Sequence, residues 1–323
     1  MLSRMADALY WMSRYLERAG NTARLVEINL LYLLEAEDAL PASAQWRPLL
    51  SITASEEAFA ACYPEASITA HKVIQFMTLE RSNSNAIRSS LRMARENARV
   101  VRDRISKEMW EAMNELWLSV DRQLAGPLVP ERATALYADV RNGVARFHGL
   151  TSNTMMRGEG WGFYLLGIFL ERADMTARTL DVKYHLLLPD VSMVGSPLDY
   201  YQWAALLKSL SGFEAYRRKY HAGLRPLDVV EFVIFEPDFP RSLRFCVERM
   251  LDALETIGDG AAHAATAAAL RALEASVHTN AEQVFAIGLH QFLEDFLTQI
   301  CELNDALAQD YFEARLMDQP CAT

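Results

Sequence analysis

YLERAGNTAR, residues 15–24, returns as FLERADMTAR, residues 169–178, with Leu, Glu, Arg, Ala, Thr, Ala and Arg kept in seven of ten places. Around the first copy, Leu2, Met5, Leu9, Met12, Leu16, Ala19, Ala23, Val26, Leu30 and Leu33 step by three and four without a break. Around the second, Phe163, Leu166, Leu170, Ala173, Ala177, Leu180, Tyr184 and Leu187 do the same. At 3.6 residues per turn such positions share one face, so each decapeptide is read as the middle of a long amphipathic helix with a heptad-like seam. Alanines on that seam allow a neighbouring helix to come close.

The recurrence extends outward. Trp46 with Glu57-Ala58-Phe59 matches Trp203 with Glu214-Ala215-Tyr216, and VIQFMTLE (73–80) matches VVEFVIFE (229–236). Asp139, Val140, Val144 and Phe147 match Asp295, Phe296, Ile300 and Leu303. Ile87, Leu91, Ala94, Ala98, Val101 and Ile105 form a second apolar stripe. Pro41, Pro64, Pro127, Pro130, Pro189, Pro197, Pro226, Pro237 and Pro240 fall between these stretches, where helices end or begin. The strand-like run VVEFVIF is read as helix because its partner segment precedes another long helix. The expectation is an all-α helical bundle built from two tandem pseudo-symmetric copies of about five helices each. Copy one spans 1–153, copy two 154–316, and 317–323 form a tail.

The chain has 323 residues, a net charge of −10 and an isoelectric point near 5.3. An acidic surface argues against general nucleic-acid binding. Of 32 basic residues, 27 are Arg, the better bidentate partner for carboxylate or phosphate. Cys62, Cys246, Cys301 and Cys321 show no paired spacing, which fits a reducing, cytoplasmic setting. The first residues carry charges throughout, unlike a signal peptide. The apolar stretch GWGFYLLGIFL (160–170) is too short to span a bilayer, so no membrane association is expected.

LYWMSRYLERAGNTARLVE, MARENARVVRDRIS, EMWEAMNELW, GWGFYLLGIFLERADMTARTLD and FPRSLRFC together resemble the bacterial alpha-E family, from Met1 to about Phe312. Two places depart from the family pattern. Gly20 stands where an acidic residue is more usual, and LERSNSNAIRSS (79–90) lacks the usual Asn-Pro. The resemblance implies a helical protein encoded beside a circularly permuted ATP-grasp protein, often with a transglutaminase-like protein. That set implies ATP-dependent amide or peptide bond formation.

No phosphate-binding loop, GxSxG elbow or HExxH sequence occurs. No Glu-x-x-His pair of the di-iron bundles is present either. Neither a metal nor a cofactor is therefore expected.

Three constellations remain. The duplicated set Glu17, Arg18, Thr22 and Arg24 with Glu171, Arg172, Thr176 and Arg178 reads as a buried ion-pair network or as a pocket for a carboxylate- or phosphate-bearing ligand. In the second reading Arg18, Arg24, Arg172 and Arg178 hold the ligand, and Glu17 and Glu171 are the acid–base candidates. Arg88, Arg92, Arg95, Arg99 and Arg102 form a stripe that is either a solvated face or a docking strip for an acidic partner or an anion. Copy two keeps only Arg244 and Arg249 nearby. Arg241, in FPRS (239–242), lies at a helix start, where capping competes with anion binding.

The expected function is an accessory, substrate-positioning or interaction component of an ATP-grasp-linked amide (peptide) bond-forming modification system. The alternative is an enzyme acting on an amino-acid or peptide-like ligand in a Glu/Arg-lined cleft.

Overall fold

Helix α1 runs from Ser3 to Glu35, through the first decapeptide. It opens a computed structural model that describes residues 1–35, 42–64, 68–126, 128–186, 196–221, 223–258 and 263–312. Next come α2 (Ala42–Ile52), α3 (Glu56–Cys62), α4 (Ala70–Thr78), α5 (Ile87–Val100), α6 (Lys107–Gln123) and α7 (Pro130–Thr154). Helix α8 (Glu159–Leu186) carries the second decapeptide. It is followed by α9 (Pro197–Ser209), α10 (Phe213–Lys219), α11 (Pro226–Phe235) and α12 (Leu243–Ile257). The last are α13 (Ala264–Val277), α14 (Ala281–Ile287) and α15 (Leu289–Leu307), closed by a π-helical turn, Ala308–Phe312.

All regular structure among the described residues is helical, and VVEFVIF lies inside α11. The count of about five helices per copy is corrected: α1–α7 precede the second decapeptide and α8–α15 follow from it. The extra elements include α3, α10 and α14, each seven residues long. Two turns hold too few side chains to display a 3.6-residue period. The expected tail, 317–323, lies outside the described residues.

Two compact units divide the chain, Met1–Ile168 and Phe169–Thr323. The boundary falls inside α8 because its first turns pack on α1. A Cβ at Gly167 would overlap Ser13 Oγ and the Tyr10 carbonyl, and one at Gly160 would press on Leu9. Only glycine lets these two backbones approach so closely.

In the first unit α1 packs against α5 and α7, while α6 packs on both of those helices. The seam residues Leu9, Met12, Leu16, Ala19, Ala23 and Val26 are all fully buried. Each such large side chain contributes roughly 1.5–3 kcal/mol by leaving water. Helices α2 to α4 enclose an aromatic cluster in which Phe59 meets Phe76 edge-on at 5.2 Å and Tyr63 tilts on Phe59. In the second unit α13 packs on α12 and α15, and α11 on α12 and α14. There Tyr216 meets Phe232 edge-on at 5.7 Å, with Tyr220 stacked on Tyr216.

The turn after α2 and the turn after α9 use the same device. Ala54 and Ser211 take the left-handed conformation, φ 47° and 55°. The amides of Ser55 and Gly212 then donate back to the carbonyls of Leu50 and Leu207. This is the Schellman termination of a helix, usually made with glycine in the left-handed position.

Candidate functional site

Glu17 lies on the buried side of α1, only 2 % exposed. Helix α7 brings His148 to it, with Nε2 3.1 Å from the carboxylate. The other ring nitrogen, Nδ1, lies 2.5 Å from the hydroxyl of Tyr164 on the first turns of α8. One tautomer serves both contacts: Nε2–H donates to Glu17, and Nδ1 accepts from the Tyr164 hydroxyl. Both ring nitrogens are thereby engaged. Trp161 stacks on Tyr164 and in turn carries the Arg157 guanidinium at 3.6 Å. One turn before Glu17, buried Arg14 donates to the Tyr10 hydroxyl at 3.2 Å and lies over the Trp11 ring.

The remaining members of the first set point to different neighbours. Arg18 donates to the Asn85 side-chain oxygen at 3.2 Å. Asn85 donates to the Thr53 carbonyl at 2.8 Å, and its amide is held by Asn83. Asn83 also donates to the Phe76 carbonyl. The unusual stretch 79–90 is thus a helix start: these asparagines shape the turn from which α5 begins, and Arg18 fastens it to α1. Arg24 reaches Asn21 at 3.5 Å. Further along, Glu27 forms a two-pronged pair with Arg141 of α7, at 2.8 and 3.1 Å.

The second set does related work within its own unit. Glu171 is 1 % exposed. Arg178 binds Asp174 through Nε at 3.1 and 3.2 Å. That carboxylate, against the opposing effect of burial, raises the guanidinium above its already high pKa. Asp174 occupies the place of Gly20 in the first decapeptide. Gly20 packs on Val144 so closely that a Cβ would come to 3.3 Å, so a side chain there would require Val144 to give way. Arg172 lies over Phe169 at 5.4 Å. Thr176 donates to the Arg241 carbonyl at 3.0 Å, so the loop before α12 is also fastened by its decapeptide. Ser242 caps α12 by accepting from the Phe245 amide. His290 of α15 meets Asp181 of α8 at 2.7 Å.

The arginine stripe lies along α5, with Arg102 in the turn after it, and is partly tied to α6. Arg88 pairs with Asp121 at 2.8 Å. Arg95 donates to Asn114 at 2.7 Å and lies over Trp110. Arg99 pairs with Glu96, and Arg102 covers Trp110 at 5.3 Å. Arg92 is exposed. A groove of about 420 Å³ runs between α6 and α7, floored by Ala112, Leu116 and Gly143.

The structure therefore brings Glu17 together with His148 and Tyr164, and Arg18 with Asn85. The sequence reading omitted His148, Asn85 and Trp110. No distinct signal marks His148: the register that aligns Phe147 with Leu303 sets it against Asn304, but also sets Arg146 against Glu302. Among the described residues no cluster of His, Cys, Asp and Glu has the arrangement of a metal site. No helix among them is long and apolar enough to cross a membrane.

Three curated relatives, an uncharacterized protein of Mycobacterium bovis and two of Mycobacterium tuberculosis, are each 24% identical over 265 residues. The match covers 76% of this chain and 29% of each relative, so the chain spans less than a third of their length. No solved structure matches the chain. A family model described as a predicted alpha-helical domain with a conserved ER motif matches residues 1–312, and Glu17-Arg18 and Glu171-Arg172 are Glu-Arg pairs of the repeated decapeptide. The chain belongs to this Alpha-E family.

Proposed function

We propose that this protein is an accessory, interaction component of an ATP-grasp-linked system that forms amide or peptide bonds. The observation that carries this reading is the burial of both acid–base candidates, Glu17 and Glu171, at 2 % and 1 % exposure. A general acid or base must come within hydrogen-bond reach of its substrate. Glu17 instead meets His148, whose second nitrogen is engaged by Tyr164. Such buried polar networks specify how helices pack, and they leave partner contacts to the outer helix faces.

The same reading takes the chain as a tandem duplication, with copies over 1–153 and 154–316. Several features support it: the matching Schellman turns at Ala54 and Ser211, the aromatic pairs Phe59–Phe76 and Tyr216–Phe232, and the helix starts at Ile87 and Leu243. The amide-bond chemistry and the permuted ATP-grasp and transglutaminase-like partners come from the family resemblance. The test is capture of the ATP-grasp-type protein by the tagged full chain, with and without ATP. Mass spectrometry of the eluate then reports any co-purifying small molecule. Specific capture supports the reading. Turnover of an amino-acid or peptide-like compound by the isolated chain, abolished by Glu17→Gln, would replace it with the enzymatic one.

A further inference from the structure

We propose that the arginine face of α5, with the turn that follows it, docks an acidic helical segment of a protein partner. This rests on the interaction-component reading and names its surface. Between Ile87 and Arg104 stand Arg88, Arg92, Arg95, Arg99, Arg102 and Arg104, against only Glu96 and Asp103, in a chain whose net charge is −10. Steps of four and three residues keep Arg88, Arg92, Arg95 and Arg99 on one side of the helix. Arg92 is exposed and has no ion pair among the described residues. Arg99 is 68% exposed and, among the described residues, pairs with Glu96 one turn back.

Trp110 makes this more than a solvated stripe. Arg95 and Arg102 both lie over its ring, at 5.9 and 5.3 Å, and Asn114 fixes the Arg95 Nε. Guanidiniums held this way lose less side-chain freedom on binding. Among the acids of α6, Asp121 neutralises Arg88 at one end of the face, while Glu111 pairs with Lys107 and Glu115 with Arg146, outside it. The corresponding helix of the second unit has no such excess. Its Arg244 and Arg249 are matched by Glu248 and Asp252.

The dimensions select the ligand class. From Arg88 to Arg99, within α5, the strip covers ~16 Å at 1.5 Å per residue. A single carboxylate or phosphate engages one guanidinium fork. Carboxylates on successive turns of a helix recur about every 5.4 Å and can meet several forks at once. A nucleic acid also carries spaced charges, but an overall acidic protein repels it at long range. Val100, 40% exposed beside the strip, offers an apolar contact.

The experiment measures fluorescence anisotropy of a labelled helical peptide with glutamates in i, i+4, i+7 register, titrated with the full chain. Its glutamine counterpart, inorganic tripolyphosphate and an oligonucleotide serve as competitors. The glutamate peptide is expected to bind, and to bind about tenfold more weakly when salt shortens the Debye length from ~14 to ~5 Å. Arg92→Glu/Arg99→Glu/Arg102→Glu should abolish binding. Arg92→Gln/Arg102→Gln, a milder pair, should weaken it at least severalfold should the triple variant fail to fold. Equal binding of the two peptides, equal binding by the folded variants, or displacement only by oligonucleotide or tripolyphosphate would overturn the proposal. Capture of the ATP-grasp-type protein separates the two readings. Undiminished capture by the triple variant rejects this surface and keeps the proposed function. Peptide binding without any capture keeps the surface and rejects that partner.

Discussion

The carboxylate of Glu17 on α1 lies 3.1 Å from Nε2 of His148 on α7, 131 residues away in sequence. Two helices that cannot meet by local propensity are joined by this buried polar contact and, further along, by the Glu27–Arg141 pair. Loss of the His148 contact leaves a carboxylate nearly sealed from water without this donor. His148→Ala should therefore destabilise the first unit by ~3–5 kcal/mol, and Glu17→Gln by ~1–3 kcal/mol. Chemical denaturation of the two single variants and the double variant gives the coupling, expected at ~1–3 kcal/mol. Additive effects would mean that the contact contributes nothing of its own.

The Arg18–Asn85 and Thr176–Arg241 contacts fasten the turns that open α5 and α12. Arg18→Ala and Thr176→Val should each cost ~1 kcal/mol, the net contribution of one hydrogen bond. Amide exchange should accelerate mainly in the first turn of α5 for the former and of α12 for the latter. Exchange that rises evenly over the whole unit would assign these residues to general packing instead.

Gly167 meets Ser13 and the Tyr10 backbone with no room for a methyl group. Gly167→Ala should push α8 off α1 and cost ~1–3 kcal/mol or more by overpacking. A denaturation midpoint equal to that of the unsubstituted chain would show that the two helices separate freely at this point.

Alkaline stability should depend on Tyr220. Burial, then the nearby carboxylates Glu231, Glu236 and Asp228, and Tyr216, push its hydroxyl up from 10.0 to about 12. A raised folded-state pKa favours the protonated form in the native protein. The contribution is fully present below pH 10 and is lost as pH rises toward about 12. Comparison of stability from pH 9 to 12 should show a shallower decline for Tyr220→Phe. Parallel curves would remove Tyr220 from the alkaline response.

The helical class and the central stripes were legible because long amphipathic helices repeat their apolar positions many times. Leu9, Leu16, Ala23 and Val26 are fully buried as their spacing requires. Helices α3, α10 and α14 were not legible, because seven residues carry no period. The decapeptide residues could be singled out by their recurrence, but not their partners. Asn85 and His148 lie 67 and 131 residues from the arginine and glutamate they meet, and local spacing holds no record of such distances. The contrast between Gly20 and Asp174 could be read from sequence. Its consequence could not: Arg178 binds Asp174 while Arg24 turns to Asn21.

In the proposed arrangement the Glu-Arg helices build the fold while the arginine face of α5 meets the partner. Its most direct test is the affinity of folded Glu17→Gln for the ATP-grasp-type protein, measured well below the unfolding transition. The account predicts a lowered denaturation midpoint with a dissociation constant within about twofold of the parent chain, because remote sites act nearly independently. Unchanged stability with a loss of affinity of about a hundredfold, ~2.7 kcal/mol, would contradict it and place the Glu17 carboxylate in a binding site.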